Sequence, residues 1–143
     1  MNMPSGFHLT VRVYYEDTDA GGVVYYANYL KFFERARTEW LRGFGFNQQE
    51  MVQSRGVIMV VKNTSVEYHA PAKLDDELKV DVMVEHLGRA SVQFVQQVWR
   101  MTPDAPQLLA TGHIKVACLN STAFRPCPFP DDLLQKLRSL AQR

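Results

Sequence analysis

Three acidic residues and two adjacent glycines lie close together near the start of the sequence. The run reads Tyr15-Glu16-Asp17-Thr18-Asp19-Ala20-Gly21-Gly22, and a helical pattern begins at about Asn28. Carboxylates at the end of a strand would face the first turn of that helix, whose unpaired N–H groups and positive dipole end could stabilise an oxyanion. The two glycines would let a ligand approach the backbone. The pattern therefore predicts a base and an electrophile-binding group side by side.

The same acidic residues also have an ordinary structural interpretation. Asp17, Thr18 and Asp19 are of the types that form hydrogen bonds within turns and at helix starts. Spacing alone favours that interpretation over catalysis. A chemical role for this segment therefore needs support from elsewhere in the chain.

Other familiar catalytic and metal-binding motifs are absent from the sequence. There is no nucleophile elbow, no phosphate-binding loop and no Cys/His pairing at a recognisable spacing. The four histidines are scattered one per predicted strand, without a second ligand at metal spacing. Cys118 and Cys127 lack the spacing of a redox or zinc site, so we expect free thiols. We expect no metal and no cofactor. The histidines are His8, His69, His86 and His113.

Composition restricts the classes of partner and compartment. The 143 residues carry a formal net charge of +1 and are 46% hydrophobic, which indicates one globular domain spanning residues 1–143. A balanced charge gives no support for binding nucleic acid through phosphate neutralisation. The amino-terminal residues show no charged leader with an apolar region, and the longest aliphatic run, Val57–Val61, is too short to span a membrane. We expect a cytoplasmic protein without a transmembrane segment and with a small-molecule partner.

The hydrophobic pattern predicts an α+β fold. Apolar residues alternate from Leu9 to Tyr15, which indicates a strand, and helical spacing follows from about Asn28 to Phe44 with apolar residues on half the circumference. Four long strands and a short amphipathic helix beginning at Asp131 follow. A strongly curved antiparallel sheet could wrap round the long helix, and its open edges favour a homo-oligomer. The four strands are predicted at Val57–His69, Leu78–His86, Ser91–Trp99 and Leu108–Cys118.

One charged residue breaks the apolar face of the long helix. Arg37 projects within the apolar arc, where a guanidinium persists only if it reaches water or meets a carboxylate and carbonyls. We interpret Arg37 as a residue that forms a structural pairing with another group and that takes no part in catalysis.

Three sequence blocks together form a specific pattern. They are Tyr15-x-Asp17-Thr18-Asp19-x-x-Gly22-x-Val24-Tyr25-x-x-x-Tyr29, Phe33-Glu34-Arg35-Ala36-Arg37-x-Glu39 and Val66-Glu67-Tyr68-x-Ala70-Pro71-Ala72-x-Leu74-Asp75-Asp76. With these blocks the chain resembles the hotdog-fold acyl-CoA thioesterases over nearly its whole length. It is similar to the 4-hydroxybenzoyl-CoA thioesterase family, and most of all to its bacterial branch associated with the Tol-Pal cell-envelope system.

The resemblance implies a hotdog fold, a site and an assembly. It assigns the catalytic carboxylate to Asp19, the carbonyl-polarising group to the backbone N–H of Tyr26, and substrate binding to Gly22 of the same motif. It implies that Met59, Val60 and Val61 line the acyl pocket from the partner subunit, although their apolar side chains could equally belong to the core. It implies dimers that commonly pair into homotetramers. Many close relatives have histidine where this chain has Tyr26, whereas the aromatic-thioester branch has tyrosine, so a histidine-dependent step does not carry over to this chain.

The expected function is hydrolysis of acyl-CoA, or of acyl carrier protein thioesters, to a free acid and a thiol. Asp19 would act either as a nucleophile or as a general base on water. CoA is then part of the substrate and no cofactor is needed. Two alternatives are a non-catalytic acyl-binding or envelope-associated adaptor that uses the same groove, and a hotdog dehydratase or hydratase. The last requires a catalytic histidine, and none lies between Leu9 and His69. The expected location of the protein is cytoplasmic or peripheral at the inner membrane.

Overall fold

The computed structural model describes residues 3, 4 and 6–141 of the chain. Its secondary structure consists of six strands, one long helix, one short helical segment and a C-terminal helix. The strands are β1 (His8–Arg12), β2 (Val57–Tyr68), β3 (Glu77–Asp81), β4 (Met83–Leu87), β5 (Ser91–Arg100) and β6 (Gln107–Asn120). The helices are α1 (Asn28–Gly43), α2 (Gln48–Glu50) and α3 (Asp131–Ala141), and a π-helical turn, Met51–Arg55, follows α2.

The six strands form one sheet in the order β1-β3-β5-β6-β2, with β4 also paired to β5. The pairings β1 with β3, β3 with β5 and β4 with β5 are antiparallel. The predicted strand Leu78–His86 is divided at Val82, because β3 and β4 pair with different parts of β5. Strand β2 ends the order opposite β1, so one of its edges carries no neighbouring strand among the residues that the structure describes.

Strand β1 is shorter than its alternating pattern predicts. The pattern extends to Tyr15, but the strand ends at Arg12 and a 3-10 turn occupies Tyr15–Asp17. The carboxylate of Asp17 accepts a hydrogen bond from the Tyr14 N–H at 2.9 Å. This local bond gives the backbone an alternative to the sheet ladder and ends the strand early.

Helix α1 follows the predicted boundaries to within one residue. Gly43 is its last residue, and Gly45 beyond it has a φ of +91°, which suits a glycine that ends a helix. Leu30 departs from the prediction, because its side chain is 44% exposed although it lies in the predicted apolar arc. The buried residues of the helix are Tyr29, Phe32, Phe33, Ala36, Arg37, Trp40 and Leu41.

The chain divides by internal packing into two compact units. The first contains Met1–Trp40, Val66–Val82 and Gln96–Gly112. It includes β1, β3 and all but the last turn of α1, and its apolar core is formed by large side chains that are fully or almost fully buried. These are Val13, Phe32, Phe33, Leu78, Val80, Val98, Trp99 and Leu109.

Arg37 lies in this first unit and meets an amide instead of the carboxylate that we expected. Its Nη1 donates to Gln96 Oε1 at 2.9 Å, and Gln96 Nε2 donates in turn to the carbonyls of Phe33 and Asp81 at 3.0 and 3.2 Å. Gln96 is fully buried and Arg37 is 8% exposed. Burial lowers the pKa of Arg37, and the nearby Glu34 raises it. The interpretation of Arg37 as a structural residue agrees with these contacts.

The second unit contains Leu41–Ser65, Met83–Val95 and His113–Arg143. Helix α3 packs on β4 there and buries Leu133 and Leu137. The two cysteines are free, as predicted, with their Sγ atoms 3.8 Å apart. Burial, followed by the contact with Cys127, raises the pKa of Cys118 to about 12.

None of the described helices combines the length and the apolar composition needed to cross a bilayer.

Candidate active site

A tight hairpin carries the acidic motif. Thr18 and Val24 form an antiparallel bridge, the Asp19 N–H donates to the Val23 carbonyl at 2.9 Å, and the Gly22 N–H donates back to the Asp19 carbonyl at 3.0 Å. Gly22 has a φ of +78°, a left-handed conformation that a side chain would strain. The sequence therefore needs glycine at position 22 to close the turn that presents Asp19.

The carboxylate of Asp19 is exposed and is held by one of its two oxygens. Oδ1 accepts the Gly21 N–H at 2.8 Å, which is an Asx turn. Among the residues that the structure describes, none donates a hydrogen bond or forms an ion pair with Oδ2. The backbone therefore orients the carboxylate while one oxygen stays available to a reactant.

Asp17 has a different environment although it lies only two residues away. Its carboxylate accepts the Tyr14 N–H, and its carbonyl accepts hydrogen bonds from Asn28 Nδ2 at 2.8 Å and from the Tyr25 N–H at 3.0 Å. Asp17 thus joins the end of β1 to the start of α1. The ordinary structural interpretation of the acidic motif fits Asp17 well.

The amide of Tyr26 lies two residues before helix α1 begins. The N–H groups of the nearby residues Val24, Tyr25 and Asn28 all donate hydrogen bonds to backbone carbonyls. Within the described part of the chain, the Tyr26 N–H itself donates to no acceptor. It is therefore an unpaired donor at the positive end of a sixteen-residue helix, as an oxyanion site requires.

A loop later in the sequence, residues 72–76, is bonded to the hairpin and is called the braced loop. Val23 forms a bridge with Lys73, and the Val24 N–H donates to the Ala72 carbonyl at 2.8 Å. The Ala72 N–H donates to the hydroxyl of buried Tyr29 at 3.1 Å.

The other end of the braced loop is held by an ion pair. Arg100 contacts Asp76 at 2.7 Å, and both side chains are about four-fifths buried. The third block of the motif is thereby fixed to the first.

Sequence reasoning assigned no role to Tyr68, which the structure places beside Tyr26. The Tyr68 hydroxyl donates to the Tyr26 carbonyl at 2.9 Å, and the two rings meet edge to face with centroids 6.4 Å apart. Tyr68 belongs to the third sequence block, but the contact spans 42 residues of sequence and has no local signal.

The predicted acyl-pocket residues lie on β2. Met59 and Val60 are half-buried, and Val61 is 50% exposed. They belong to the second compact unit, whereas Asp19, Gly22 and Tyr26 belong to the first. The structure thus brings the hairpin and the amide into one unit and does not add the β2 residues to it.

A surface cavity of about 600 Å³ lies near the end of β1. It contains neither Asp19 nor Tyr26, so we do not assign it to the reacting centre. Its lining residues are Tyr14, Tyr15, Glu16, Leu74 and Asp75. Across residues 3, 4 and 6–141, no group of three or more His, Cys, Asp or Glu side chains is arranged to hold a metal ion.

Comparison with known proteins identifies the family. The sequence profile of the "Thioesterase-like superfamily" matches residues 13–137, which is most of the chain. The chain belongs to this superfamily. Thioesterases among its relatives include "Acyl-CoA thioesterase YbgC" of Haemophilus influenzae, 44% identical over 92% of this chain and 93% of that protein. "Acyl-CoA thioester hydrolase YbgC" of Escherichia coli O6:H1 is 41% identical over 92% of this chain and 96% of its own length.

Solved structures confirm the fold of this superfamily member. The probable thioesterase of Bartonella henselae superposes with a TM-score of 0.78 and 31% identity, over 87% of this chain and 98% of that one. The antiparallel sheet, the long central helix and the C-terminal helix are those of a hotdog fold, as predicted.

Proposed function

We propose that this chain hydrolyses acyl-CoA thioesters to a free acid and CoA, with Asp19 as the catalytic carboxylate and the Tyr26 N–H as the oxyanion donor. The observation that carries the proposal is the pair of unpaired groups on either side of one glycine turn. Asp19 Oδ2 and the Tyr26 N–H both lack hydrogen-bond partners among the described residues. The chain also belongs to a thioesterase superfamily. Relatives 41–44% identical are named as acyl-CoA thioesterases or thioester hydrolases, which supports this activity class.

The reaction needs no stronger nucleophile than a carboxylate, because a thioester carbonyl is activated and a thiolate leaves readily. In the general-base form, Asp19 takes a proton from water and the water oxygen attacks the carbonyl carbon. The Tyr26 N–H stabilises the resulting oxyanion, the C–S bond breaks, and the thiolate takes up a proton. In the nucleophilic form, Asp19 attacks the carbonyl carbon, the C–S bond breaks and the thiolate leaves with a proton from solvent. Water then hydrolyses the mixed anhydride, which releases the acid and returns the Asp19 carboxylate. Both forms use the same two groups.

Gly22 and three residues of β2 complete the proposed substrate site. Gly22 has no Cβ and leaves open space beside the turn, which lets the thioester approach the backbone. Met59, Val60 and Val61 would line the acyl pocket from the partner subunit. No cofactor takes part, because CoA belongs to the substrate.

The proposal includes a single domain over residues 1–143 and a homo-oligomer, either a dimer or a homotetramer. Support comes from β2, a twelve-residue strand at one end of the sheet order on which every residue is half-buried or exposed. A long exposed strand edge is a template for pairing with another chain. Acyl carrier protein as an alternative thioester carrier, Tol-Pal association, and a cytoplasmic or peripheral inner-membrane location stay predictions.

A panel of thioesters tests the activity. Short aliphatic, long aliphatic and hydroxybenzoyl thioesters of CoA and of acyl carrier protein are incubated with the purified protein, and thiol and free acid are both quantified. We expect thiol and acid in equal amounts with at least one carrier. Tight acyl-CoA binding by calorimetry without thiol release from any thioester would contradict hydrolysis and favour the adaptor.

A further inference from the structure

One long-range hydrogen bond reaches the segment that carries the proposed oxyanion donor. The Tyr68 hydroxyl, at the last residue of β2, donates to the Tyr26 carbonyl at 2.9 Å. The other donor to that carbonyl is the Tyr29 N–H, whose distance of 3.4 Å is long for a hydrogen bond. Tyr68 therefore supplies the stronger of the two contacts.

Tyr26 itself makes few other contacts, although the residues on either side of it are hydrogen-bonded. Its side chain is 63% exposed and its N–H has no partner within the described chain. Its ring contacts are with Tyr25, at 4.8 Å between centroids, and with Tyr68. Because Tyr25 is itself 44% exposed, Tyr68 is the ring that links Tyr26 to the buried core.

Tyr68 is anchored on its other side by a core residue. Its ring meets that of Tyr29 edge to face at 5.2 Å, and Tyr29 is only 2% exposed. The Tyr29 hydroxyl accepts the Ala72 N–H. Tyr68 thus connects a buried ring, fixed to the braced loop, with the exposed turn before α1.

The position of this bond suits control of the neighbouring amide. The carbonyl and the N–H of Tyr26 belong to adjacent peptide planes that meet at its Cα, so fixing the carbonyl restricts the rotation that aims the N–H. Oxyanion donors must hold their direction to within about 0.5 Å and 10–20° to be effective. A phenol has to be protonated to donate. Burial, then the neighbouring Tyr29 and Tyr26, raise the pKa of Tyr68, so the phenol stays a donor through neutral and mildly alkaline pH.

We propose that Tyr68 is a positioning residue, whose hydroxyl holds the Tyr26 peptide so that its N–H is aimed at the developing oxyanion. This inference rests on the proposed function, because it assumes that the Tyr26 N–H is the oxyanion donor. Tyr68 acts through Tyr26 and does not itself touch the reacting atoms.

Tyr68→Phe tests the proposal, because it keeps the ring contacts and removes only the donor. We expect kcat to fall by about 10-fold to 100-fold, since small misplacements of a catalytic group cost about that much, while KM stays within about 2-fold of wild type. Amide hydrogen exchange provides a second measurement that does not depend on turnover. Exchange at the Tyr29 amide, which donates to the Tyr26 carbonyl, should quicken in Tyr68→Phe.

Tyr15→Phe is the matched control. It also removes one phenol hydroxyl near the hairpin, but this side chain is 81% exposed and its hydroxyl forms no hydrogen bond with any described residue. We expect a melting temperature and a kcat close to wild type.

Asp19→Asn, assayed beside these variants, distinguishes a failure of the positioning role of Tyr68 from a failure of the proposed function. An inactive Asp19→Asn together with an unchanged kcat in Tyr68→Phe would overturn the positioning role and leave the proposed function standing. An equal loss of kcat in Tyr15→Phe would also overturn it, because the effect would then not depend on the hydrogen bond to Tyr26. A fully active Asp19→Asn would overturn the proposed function and this inference with it.

Discussion

The proposed chemistry depends on a single carboxylate whose two oxygens have different environments. The Gly21 N–H orients Oδ1 of Asp19, and Oδ2 has no partner within the described residues. The turn-forming and catalytic interpretations of the motif are therefore compatible, because the Asx turn would orient the proposed base. In this proposal Asp17, whose carboxylate accepts the Tyr14 N–H, has a structural role.

Gly21→Ala tests whether the orientation of the carboxylate matters. A Cβ at position 21 would lie 3.2 Å from Asp19 Oδ1, so the carboxylate has to shift by a few tenths of an ångström. We expect kcat to fall by about 10-fold, because such displacements weaken proton transfer and attack, while the free energy of unfolding changes by less than ~1 kcal/mol. Kinetics and denaturant unfolding measure the two effects. Gly43→Ala, where the added Cβ meets open space, is the control, and equal activity in both variants would contradict the argument.

The sequence pattern predicted a carboxylate beside a helix start, and the family resemblance assigned the roles to Asp19 and Tyr26. Neither indicated every residue that positions them. The acidic and glycine motif is local, so type and spacing are visible along the chain. The bond from Tyr68 to Tyr26 joins residues 42 positions apart, and only the folded sheet brings them together. The choice between Asp17 and Asp19 likewise depends on hydrogen bonds that spacing does not show.

At the level of elements, the long helix is anchored to the sheet by a buried polar hub. Gln96 on β5 bonds Arg37 and Phe33 of α1 and the carbonyl of Asp81 on β3. Without Gln96, the buried Arg37 Nη1 would lose the acceptor that the structure shows, and unpaired buried polar groups are costly. The hub therefore fixes how α1 lies on this part of the sheet within the first unit.

Gln96→Leu should destabilise the protein strongly. It removes the acceptor of a buried guanidinium and the donor to two carbonyls, so we expect a loss of about 2–4 kcal/mol in the free energy of unfolding. Urea unfolding followed by circular dichroism measures it. Gln93→Leu on the same strand is the control, because Gln93 bonds the exposed Glu85 and should cost less than ~1 kcal/mol. Comparable losses in the two variants would contradict a special role for the hub.

Elements with strong periodicity were predictable, and those decided by local bonds were not. Helix α1 was predicted to within one residue because its apolar residues repeat at helical spacing over sixteen positions. The early end of β1 depends on one hydrogen bond, from the Tyr14 N–H to the Asp17 carboxylate. The division of the predicted strand at Val82 depends on the pairing of β3 and β4 with different parts of β5. The helical turns between Gln48 and Arg55 were not predicted either.

At the level of the whole molecule, β2 is the strand that most needs a partner. Its exposed residues and its place at one end of the sheet order leave a long edge for pairing. The half-exposed Val61 lies on this strand and is also one of the proposed acyl-pocket residues. Assembly and substrate binding would then depend on the same strand.

Val61→Asp tests the proposed assembly. A charge on a pairing edge disfavours strand addition, so we expect a dimer or tetramer in the wild type and a shift towards monomer in the variant. Light scattering coupled to size exclusion gives the masses, and thiol release should fall with the oligomer. Thr10→Asp on the other edge strand, where Thr10 is also exposed, is the control and should assemble normally. A monomeric wild type, or loss of assembly in Thr10→Asp alone, would contradict pairing through β2.

The most direct test of the central claim compares Asp19→Asn with Asp17→Asn in a thiol-release assay on one accepted acyl-CoA. Both changes keep the side-chain shape and remove one negative charge. We expect both variants to fold, Asp17→Asn to retain most of its activity, and Asp19→Asn to lose about 100-fold to 10,000-fold in kcat, as for removal of a catalytic base. Full activity in folded Asp19→Asn would show that this carboxylate does not carry the chemistry.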